Sequence, residues 1–514
     1  MAGYKLNPKH PKILLVSDLI AKVRELQAGG KKVVLSLGVY DIIHPGIVMH
    51  LEDAKALGDV LVVAVVKDKD VKLGPGRPIF PEEMRAVIAA TCSQVDYVCL
   101  VDDEITYECL KTIKPDIFAK GQSYRASQRN IDEKLSEAEK SLLFGQVDIR
   151  QTSGISFSSS NVINSFLDDY PPETKRYLGD FKRKYSFEQI AKAIDDLKDM
   201  KVLLVGDGII DEYFYTTPLG RSSKANLVVN KYLSQEIFAG GAFAIANHIA
   251  GFCKEVHLVS LLGSHDSREE FVSRNLKPGV NAKFFTRADG PTIIKKRYIQ
   301  QQNNQKLFEV NYLNDEYVKG DLESKIVSHI KETAKGYDVV LISDFGHGFI
   351  TQKIYEAVKE SGVRFGINTQ SNGANTGYNL ITKYSNPFFV CLDEGEVRLA
   401  SQDKFGSVDD IIKKMSKVIN AANVIVTMSK RGSIGINEKR ELSSTPIFTS
   451  KVVDTVGAGD AFFAYTAPCL ASGLPMELVS FIGNVVGALA VQIVGNKKSV
   501  EKHELLEFIH TIMK

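Results

Sequence analysis

Cysteine is scarce in this 514-residue sequence: six are scattered along it, with no C-x-x-C pair and no cysteine–histidine cluster. This scarcity argues against a disulfide framework and a zinc site, and it favours buried thiols in a reducing cytosol. Long hydrophobic runs are lacking too, since runs such as Val60–Val66 have strand length and cannot span a bilayer. The polar, proline-interrupted start of the chain is not expected to be a signal peptide, so a cytoplasmic protein is predicted.

An excess of one charge sign is also lacking. The 64 basic and 62 acidic residues give a net charge of +2, which argues against nucleic acid or an anionic membrane as the main partner. There is no internal repeat and no low-complexity tract. Hydrophobic residues at 44% and charged residues at 25% are typical of globular proteins, and the length predicts two or three domains.

Short β-branched runs alternate with segments of helical spacing, and this rhythm occurs twice along the chain. In the first half we predict strands at Lys32–Leu37, Val60–Val66, Tyr97–Val101 and Ile117–Ala119. In the second half we predict them at Lys201–Val205, Glu255–Leu261, Asp338–Ser343, Arg364–Ile367 and Asn423–Thr427. The pattern indicates an α/β protein whose parallel sheets carry helices on both faces.

A stretch rich in proline and charge separates the two halves. Residues 168–185 read DDYPPETKRYLGDFKRKY and show no apolar periodicity, so a linker is predicted at 171–185. Ser186 then begins a capping box for a helix over Phe187–Met200. The predicted domains are therefore 1–170 and 186–514.

The most specific motif lies in the second domain, where residues 454–462 read DTVGAGDAF and run into a helix. Gly457, Ala458 and Gly459 let backbone N–H groups converge at the helix N-terminus, which predicts an anion hole for a phosphoryl group in flight. Asp460 is placed to take the proton from an attacking hydroxyl. A glycine-rich turn without chemistry is the alternative for Gly-x-Gly alone, whereas the full nonapeptide favours catalysis.

A second motif follows the first predicted strand, where residues 38–46 read GVYDIIHPG and open a helix. This placement puts His44 and several backbone N–H groups at a helix N-terminus, where a triphosphate can bind. For His44 alone, a purely structural histidine is the alternative.

The second domain resembles the ribokinase-like (PfkB-type) sugar kinases, whose signature is D-T-x-G-A-G-D. The resemblance implies a ribokinase-like fold with a parallel-rich sheet, ATP as the phosphoryl donor, and Mg²⁺. It implies sugar contacts from Asp211, Gly240, Gly241, Phe243 and Asp344; nucleotide contacts from Thr427, Ser429, Gly432 and Thr455; and organisation of the metal by Asp393 and Glu396.

Departures from that family cluster on the sugar side. The family's G-G-A-A-N is GGAFA at 240–244, so a substrate-binding asparagine is missing and the bulky Phe243 is expected to intrude on the pocket. In S-D-Y-G-K-G, the lysine is replaced by His347. Two further departures lie outside the sugar side: Ser429 replaces the first glycine of the nucleotide motif T-x-G-x-x-G, and Asp393 replaces the asparagine of the metal-side motif N-x-x-E. We therefore expect an intact catalytic core beside a rebuilt sugar pocket.

The first domain resembles the cytidylyltransferase-like enzymes over about residues 12–166, and most of all the adenylyltransferase half of bifunctional heptose-phosphate kinase/adenylyltransferases. The resemblance implies a Rossmann-like fold and a transfer in which a sugar phosphate attacks the α-phosphate of a nucleotide and pyrophosphate leaves. ATP is the expected nucleotide, with CTP as the alternative. The implied contacts are Gly38, Tyr40, Asp41, His44, Gly46, Arg77, Arg85, Lys120, Ser158, Ser159 and Ser160.

Two positions depart from the transferase pattern. The second histidine of H-x-G-H is Ile47, and the aspartate of K-G-G-D-Y is Ser123. An isoleucine cannot donate to a phosphate oxygen, and the loss of one such donor costs roughly a hundred- to a thousandfold in rate. His50 lies off that face of the helix and is not expected to substitute.

Together the two domains resemble the bifunctional enzyme that phosphorylates a heptose 7-phosphate at C1 and later attaches AMP, with the two halves in reversed order. The sequence thus predicts a sugar-phosphate kinase and nucleotidyltransferase that makes a nucleotide-activated sugar. One alternative is an active kinase whose N-terminal domain binds nucleotide without turning it over and regulates the kinase. Another is a pair of activities matched to a different sugar phosphate. The expected partners are small molecules, a sugar or sugar phosphate and a nucleotide, and a homo-oligomer is compatible with the sequence.

Overall fold

The computed structural model describes residues 10–102, 106–120, 147–152, 170–373 and 375–514. The predicted site residues Ser158, Ser159 and Ser160 and the variant position Ser123 lie outside these ranges. The chain divides into two compact units, one of residues 1–169 with 506–514 and the other of residues 170–505. Among the described residues, no helix combines the length and the apolar character that a membrane crossing requires.

The first unit is built on a five-stranded parallel sheet in the order β3-β2-β1-β4-β5. Its strands are β1 (Val33–Gly38), β2 (Val60–Val66), β3 (Tyr97–Val101), β4 (Ile117–Lys120) and β5 (Asp148–Gln151). Its helices span Val16–Ala28, Pro45–Ala56, Glu82–Thr91 and Thr106–Ile113. The four predicted strands are confirmed to within one residue at each end. Two separate apolar clusters cover the two faces of the sheet, which explains why β2 is an uninterrupted apolar run.

The second unit contains a nine-stranded sheet in the order β10-β9-β6-β13-β14-β15-β16-β17-β18. Neighbouring strands pair in parallel from β10 to β16, whereas β17 pairs antiparallel with both β16 and β18. The strands are β6 (Lys201–Gly206), β9 (Glu255–His265), β10 (Val280–Pro291), β13 (Val339–Asp344), β14 (Phe365–Thr369), β15 (Phe389–Asp393), β16 (Asn423–Thr427), β17 (Ser433–Ile436) and β18 (Leu442–Thr445). This confirms the predicted α/β class with a parallel-rich sheet.

A smaller four-stranded sheet in the order β12-β11-β7-β8 completes the second unit. Its strands are β7 (Gly208–Arg221), β8 (Val228–Gly241), β11 (Ile294–Gln300) and β12 (Gln305–Tyr312). Strands β7 and β11 run parallel, whereas the outer pairs are antiparallel. The sequence reading did not predict this sheet, and it carries several residues of the candidate active site.

The predicted linker at 171–185 is instead a helix, Pro172–Lys184, and it belongs to the second unit. Its Leu178 and Phe181 are buried, and Phe181 stacks on Phe481 with ring centroids 4.1 Å apart. Proline is tolerated in the first turn of a helix, and a narrow apolar stripe among many charges still specifies one buried face. The sequence reading therefore missed a helix in the predicted linker, because the many charged residues hid the apolar stripe.

The other helices of the second unit surround its large sheet. They span Phe187–Asp195, Ala242–Ile249, Glu269–Asn275, Gly320–Thr333, Gln352–Glu360, Glu394–Ser401, Val408–Val418, Ala458–Ala471 and Met476–Ala490. The last helix of the chain spans Lys502–Met513, and most of its residues are assigned to the first unit. The predicted capping box at Ser186 is confirmed, with Gln189 N donating to Ser186 Oγ at 3.3 Å and Ser186 N to Gln189 Oε1 at 2.9 Å. The α-helix ends at Asp195 rather than Met200, and a short 3₁₀ turn follows it.

Candidate active site

Asp460 lies in the first turn of the helix Ala458–Ala471, with its side chain only 6% exposed. The amide of Gln370 donates to Asp460 Oδ1 at 2.5 Å. Burial raises the pKa of Asp460 to about 7, although the Gln370 hydrogen bond and the charge of Lys295 act in the opposite direction. A carboxylate of that pKa is suited to accept a proton near neutral pH.

The predicted anion hole is the turn that precedes this carboxylate. Gly457 caps the helix with a φ of +83°, and a Cβ added to it would lie 2.2 Å from Asn496 Oδ1. Thr455 and Gly459 are exposed, and a Cβ on Gly459 would meet no atom within 4 Å. Because the first N–H groups of a helix lack partners within it, this turn presents donors to open space in front of Gly459.

Asp211 lies on β7 and is almost fully buried. Its Oδ1 accepts a hydrogen bond from Arg297, and its Oδ2 accepts one of 3.3 Å from the Asn496 amide. A Cβ on Gly240 would lie 2.1 Å from Asp211 Oδ2, so the first glycine of the predicted pair leaves space for this carboxylate. The charge of Asp211 contributes, after burial, to the raised pKa of Asp460, so the predicted sugar-binding acid and the predicted base lie within electrostatic reach of each other.

The loop around Asn496 connects these elements, and the sequence reading missed it. Asn496 contacts Asp211 on one side and the Gly457 turn on the other, and Gly495 N donates to Asp454 Oδ2 at 2.9 Å. Asp454 also accepts from Tyr213 Oη at 2.8 Å and from Lys306 Nζ at 2.6 Å. Burial alone would raise the pKa of Asp454, but the hydrogen bonds from Lys306, Gly495 and Val456 and the charge of Lys306 together outweigh it, so the net shift is downward. The first aspartate of the motif therefore anchors the turn to the small sheet.

The expectation that Phe243 intrudes on the sugar pocket is corrected by the structure. Phe243 is fully buried and packs edge-on against Phe284, with ring centroids 6.1 Å apart. A Cβ on Gly208 would lie 2.0 Å from the Phe243 ring, so the ring fills the space that this glycine leaves open. Gly241, with a φ of +57°, is the N-cap of the helix Ala242–Ile249. Phe243, the second residue of that helix, points into the core rather than toward a ligand.

Asp344 ends β13, and His347 lies in the loop that follows. Asp344 Oδ2 accepts from Tyr384 Oη and from Lys383 Nζ, each at 2.6 Å, and its Oδ1 accepts from Gly346 N at 2.9 Å. The carboxylate predicted to bind sugar is thus engaged in holding this loop. His347 is 1% exposed and neither of its ring nitrogens has a hydrogen-bond partner. Burial, followed by the charge of Lys295, lowers the pKa of His347 to about 3, so it is neutral as predicted.

Asp393 and Glu396, the predicted metal-side pair, form a capping box on the helix Glu394–Ser401. Glu396 accepts backbone N–H groups from Asp393 at 2.8 Å and Ser371 at 3.0 Å, and burial raises its pKa to about 8. No group of three or more His, Cys, Asp or Glu side chains is placed to hold a metal ion in the described ranges. Mg²⁺ commonly uses one or two carboxylates together with substrate phosphates and water, so the pair fits a nucleotide-borne ion and not a cage made of protein ligands alone.

The predicted nucleotide turn follows β16. Ser429 adopts a left-handed conformation with a φ of +50°, which is the region that favours glycine. Gly432 has a φ of +83°, and its Cβ would lie 2.0 Å from Thr445 O. Thr427 ends the strand and donates to Leu392 O at 3.4 Å.

In the first unit, His44 is the N-cap of the helix Pro45–Ala56, where the motif predicted it. It is buried, its Nδ1 has no hydrogen-bond partner, and burial lowers its pKa, so it is neutral at pH 7. Gly46 is buried in the first turn of the helix, and Ile47 is half-buried against the apolar cluster beneath. Gly38 ends β1, and Lys120 ends β4. These two strands are neighbours in the sheet, so both residues lie at its carboxyl edge.

Several predicted nucleotide ligands of this unit support one loop instead. Both oxygens of Asp41 accept from Ile79 N, at 2.9 and 2.8 Å, and Phe80 N donates to the same carboxylate. Arg85 is 0% exposed, and its guanidinium donates to three backbone carbonyls and to Asp68 at 2.6 Å. Neither side chain presents its charge to a ligand in this arrangement. Arg77, half-buried at the start of the same loop, is the arginine nearer to solvent.

Tyr40 and His50 meet at Ser36. Tyr40, with a φ of +53°, places its Oη 2.7 Å from Ser36 Oγ. His50 has Nε2 at 2.6 Å from the same oxygen and Nδ1 at 2.7 Å from Thr152 Oγ1. Both ring nitrogens of His50 are therefore engaged, which agrees with the expectation that it does not replace the missing histidine at position 47.

Comparison with known proteins gives two family matches. Residues 200–503 match the pfkB family carbohydrate kinases, and residues 35–164 match the Cytidylyltransferase-like family. The Bifunctional protein HldE of Trichlorobacter lovleyi is 26% identical over 301 residues, which is 58% of this chain and 60% of that protein. The Bifunctional protein HldE of Nitratiruptor sp. is 42% identical over 113 residues, or 22% of this chain and 24% of that protein.

The chain thus spans less than two thirds of the length of these curated relatives. Among solved structures, the Arabidopsis thaliana ribokinase complexed with ribose and ATP has a TM-score of 0.49 and 17% identity, covering 60% of this chain and 99% of that one.

Proposed function

The chain belongs to the pfkB family of carbohydrate kinases, and from that premise we propose that residues 186–514 transfer the γ-phosphoryl group of ATP to a hydroxyl of a sugar phosphate. The observation that carries this proposal is that Asn496 contacts both Asp211 and the Gly457 turn. That turn leads directly into the helix that carries the buried Asp460. Such an arrangement holds an acceptor between a hydroxyl-binding acid and a base, beside an anion hole.

In this mechanism Asp460 takes the proton of the acceptor hydroxyl as that oxygen attacks the γ-phosphorus. The N–H groups of the turn at Gly457–Asp460 stabilise the charge on the equatorial oxygens of the moving phosphoryl group. Mg²⁺, when bound with ATP, neutralises charge on the phosphates, and Asp393 and Glu396 are the residues that would hold it. Because burial raises the pKa of Asp460 to about 7, the rate should increase as the pH rises through neutrality.

For residues 1–170 we propose transfer of a nucleotidyl group from ATP to a sugar phosphate, so that the two domains together make a nucleotide-activated sugar of the ADP-heptose type. The support is His44 at a helix N-terminus, together with a loop held in place by Asp41 and Arg85. The absence of a donor at Ile47 favours the second candidate, a nucleotide-binding domain that regulates the kinase. The six free cysteines agree with the cytoplasmic location that we propose for these reactions.

The kinase proposal is tested by Asp460→Asn, which keeps the shape of the side chain and removes the proton acceptor. ADP release with ATP, Mg²⁺ and a panel of sugar phosphates should fall about 10²- to 10⁴-fold, while ATP still binds. Asp321→Asn, on the exposed face of the helix Gly320–Thr333, is the matched control and should retain the wild-type rate. Near-normal turnover by Asp460→Asn would refute the role of this residue.

A further inference from the structure

Four side chains of the first unit, those of Tyr40, Ser36, His50 and Thr152, form one continuous hydrogen-bond network, which we call the His50 network. Ser36 Oγ lies 2.7 Å from Tyr40 Oη and 2.6 Å from His50 Nε2, and His50 Nδ1 lies 2.7 Å from Thr152 Oγ1. Thr152 then donates twice to Lys120 O, from Oγ1 at 3.3 Å and from N at 3.0 Å. Ser36, Tyr40 and Thr152 are at most 6% exposed, so water competes little for these bonds.

The donors and acceptors of the His50 network are fixed by its end at Lys120. A hydroxyl has one hydrogen, so Thr152, which donates it to Lys120 O, accepts from His50 Nδ1. Burial lowers the pKa of His50, so its ring is neutral at pH 7. A neutral ring with its hydrogen on Nδ1 accepts at Nε2, so Ser36 donates to it and in turn accepts from Tyr40 Oη.

The His50 network joins the two strands at which the sheet order reverses. In the order β3-β2-β1-β4-β5, β2 and β3 extend the sheet on one side of β1, and β4 and β5 extend it on the other. Ligands of open parallel sheets bind in the crevice outside the carboxyl ends of the strands at such a point. Here β1 leads into the helix that His44 caps, and β4 ends at Lys120. His50 therefore connects the two sides of the place where a nucleotide is expected.

Tyr40 shows what the network holds on the β1 side. Its φ of +53° is left-handed, which is a costly conformation for a residue other than glycine. Its ring lies against Gly38, where an added Cβ would be 3.1 Å from the ring. Such a conformation persists where the surrounding contacts enforce it, and the bond to Ser36 is one of these contacts. The network thus helps to hold the turn that precedes His44.

We propose that His50 is a positioning residue for the nucleotide site of the first unit, and that it holds the Tyr40 turn and the Lys120 end of β4 in a fixed relation. The inference rests on the proposed nucleotidyl transfer and names a residue on which that site depends. His50 contacts no phosphate in this role, so it does not replace the donor that is missing at Ile47. Without the network the two strand ends move independently, and a triphosphate that contacts both must first bring them together.

The experiment uses the full-length protein with histidine labelled by ¹³C and ¹⁵N for NMR. The ring signals of His44 and His50 are assigned from their absence in His44→Ala and His50→Leu. Because both residues lie in the first unit, a titration of the His44 signal with ATP or CTP measures binding there, whatever binds to the second unit. Pyrophosphate release with a panel of sugar phosphates is measured in parallel.

His50→Leu and Thr152→Val should each weaken nucleotide binding about tenfold. The double variant should lose little more than His50→Leu alone, because both changes break the same network. His50→Gln, which keeps one donor and one acceptor, should recover part of the loss. Thr91→Val is the matched control, since the Thr91 hydroxyl is exposed and donates to Ile88 O at 2.6 Å, and its binding should equal that of the wild type.

The ring of His50 provides a signature that a general loss of stability does not produce. In the wild type its hydrogen should lie on Nδ1, and in Thr152→Val it should move to Nε2, where Ser36 can accept it. A wild-type ring with its hydrogen on Nε2 would overturn the inference. So would nucleotide affinities that stay unchanged in His50→Leu and Thr152→Val while urea unfolding shows a loss of stability, since the network would then stabilise the fold alone.

The outcome for the nucleotide separates this inference from the proposed transfer. If the His44 signal responds to neither ATP nor CTP, both are wrong. If a nucleotide binds and no sugar phosphate yields pyrophosphate, only the transfer is wrong, and the affinities of the variants still decide the role of His50.

Discussion

Gln370 Nε2 donates a hydrogen bond of 2.5 Å to Oδ1 of Asp460, which fixes one oxygen of the candidate base inside the protein. The glutamine is itself held by its backbone, since its N donates to Asp344 O at 2.9 Å and its O accepts from the Asn379 amide at 3.1 Å. The next residue, Ser371, donates to Glu396. The loop that carries Gln370 is thereby hydrogen-bonded to Asp344, Asn379 and Glu396, and these bonds fix the position from which Gln370 holds Asp460.

Gln370→Leu should move the acid limb of the pH–rate profile to higher pH. A hydrogen bond donated to a carboxylate stabilises its ionised form, so its removal raises the pKa of Asp460 above about 7. The base works when ionised, so activity should fall about tenfold at a pH near 6 and recover near pH 9. The measurement is kcat/KM for ADP release across that range. Gln352→Leu, on an exposed helix face, is the control, and an equal loss at every pH would show that Gln370 does not act through this pKa.

Asp460→Asn should stabilise the protein at neutral and alkaline pH while abolishing activity. Folded Asp460 keeps its proton up to a pH of about 7, whereas an aspartate in the unfolded chain has a pKa of 3.8, so ionising this group in the folded protein costs stability. The cost is absent at low pH and develops as the pH rises from about 4 to about 7, reaching about 1–4 kcal/mol. Urea unfolding of both proteins near pH 4 and pH 8 measures the difference, and equal stabilities at pH 8 would contradict the buried-charge account.

Phe243→Ala should reduce stability and leave the ranking of acceptor sugars unchanged. The ring is fully buried against Phe284 and below Gly208, so its removal leaves a core cavity worth about 3–5 kcal/mol of unfolding free energy. Phe405→Ala, at an exposed position, should change the unfolding free energy little. The measurements are urea unfolding and the relative kcat/KM of the sugar panel below the unfolding transition. A changed ranking of the acceptor sugars would show that Phe243 does line the sugar pocket.

The features that sequence reasoning predicted are those encoded by neighbouring residues. The nonapeptide at 454–462 places a glycine N-cap and the buried carboxylate of Asp460 within one turn of helix, and the capping box at Ser186 specifies a helix start locally. Apolar runs such as Val60–Val66 likewise encode strands that are buried on both faces. Each of these patterns has its physical cause within a few residues, so one sequence is enough to reveal it.

The residues that sequence reasoning missed are brought to the site by long-range pairing. Arg297 contacts Asp211 because β11 pairs with β7, and Asn496 reaches Asp211 from a loop near the end of the chain. Gln370 carries no motif, and only the geometry after β14 gives it a role. Phe243 was misjudged because the direction of its side chain depends on the positive φ of Gly241, and a family pattern does not show that angle.

Ile47→His should raise pyrophosphate release from ATP and a sugar phosphate by about 10- to 100-fold if the first domain is a weakened transferase. Ile47 lies one turn into the helix that His44 caps, so a histidine there adds the missing donor beside the same helix N-terminus. His44→Ala should remove whatever rate the wild type has. Met49→His, half-buried on the same helix, is the matched control for introducing a histidine. If neither the wild type nor Ile47→His releases pyrophosphate, yet His44→Ala changes the kinase KM for its sugar phosphate, the domain is regulatory and the transferase proposal is wrong.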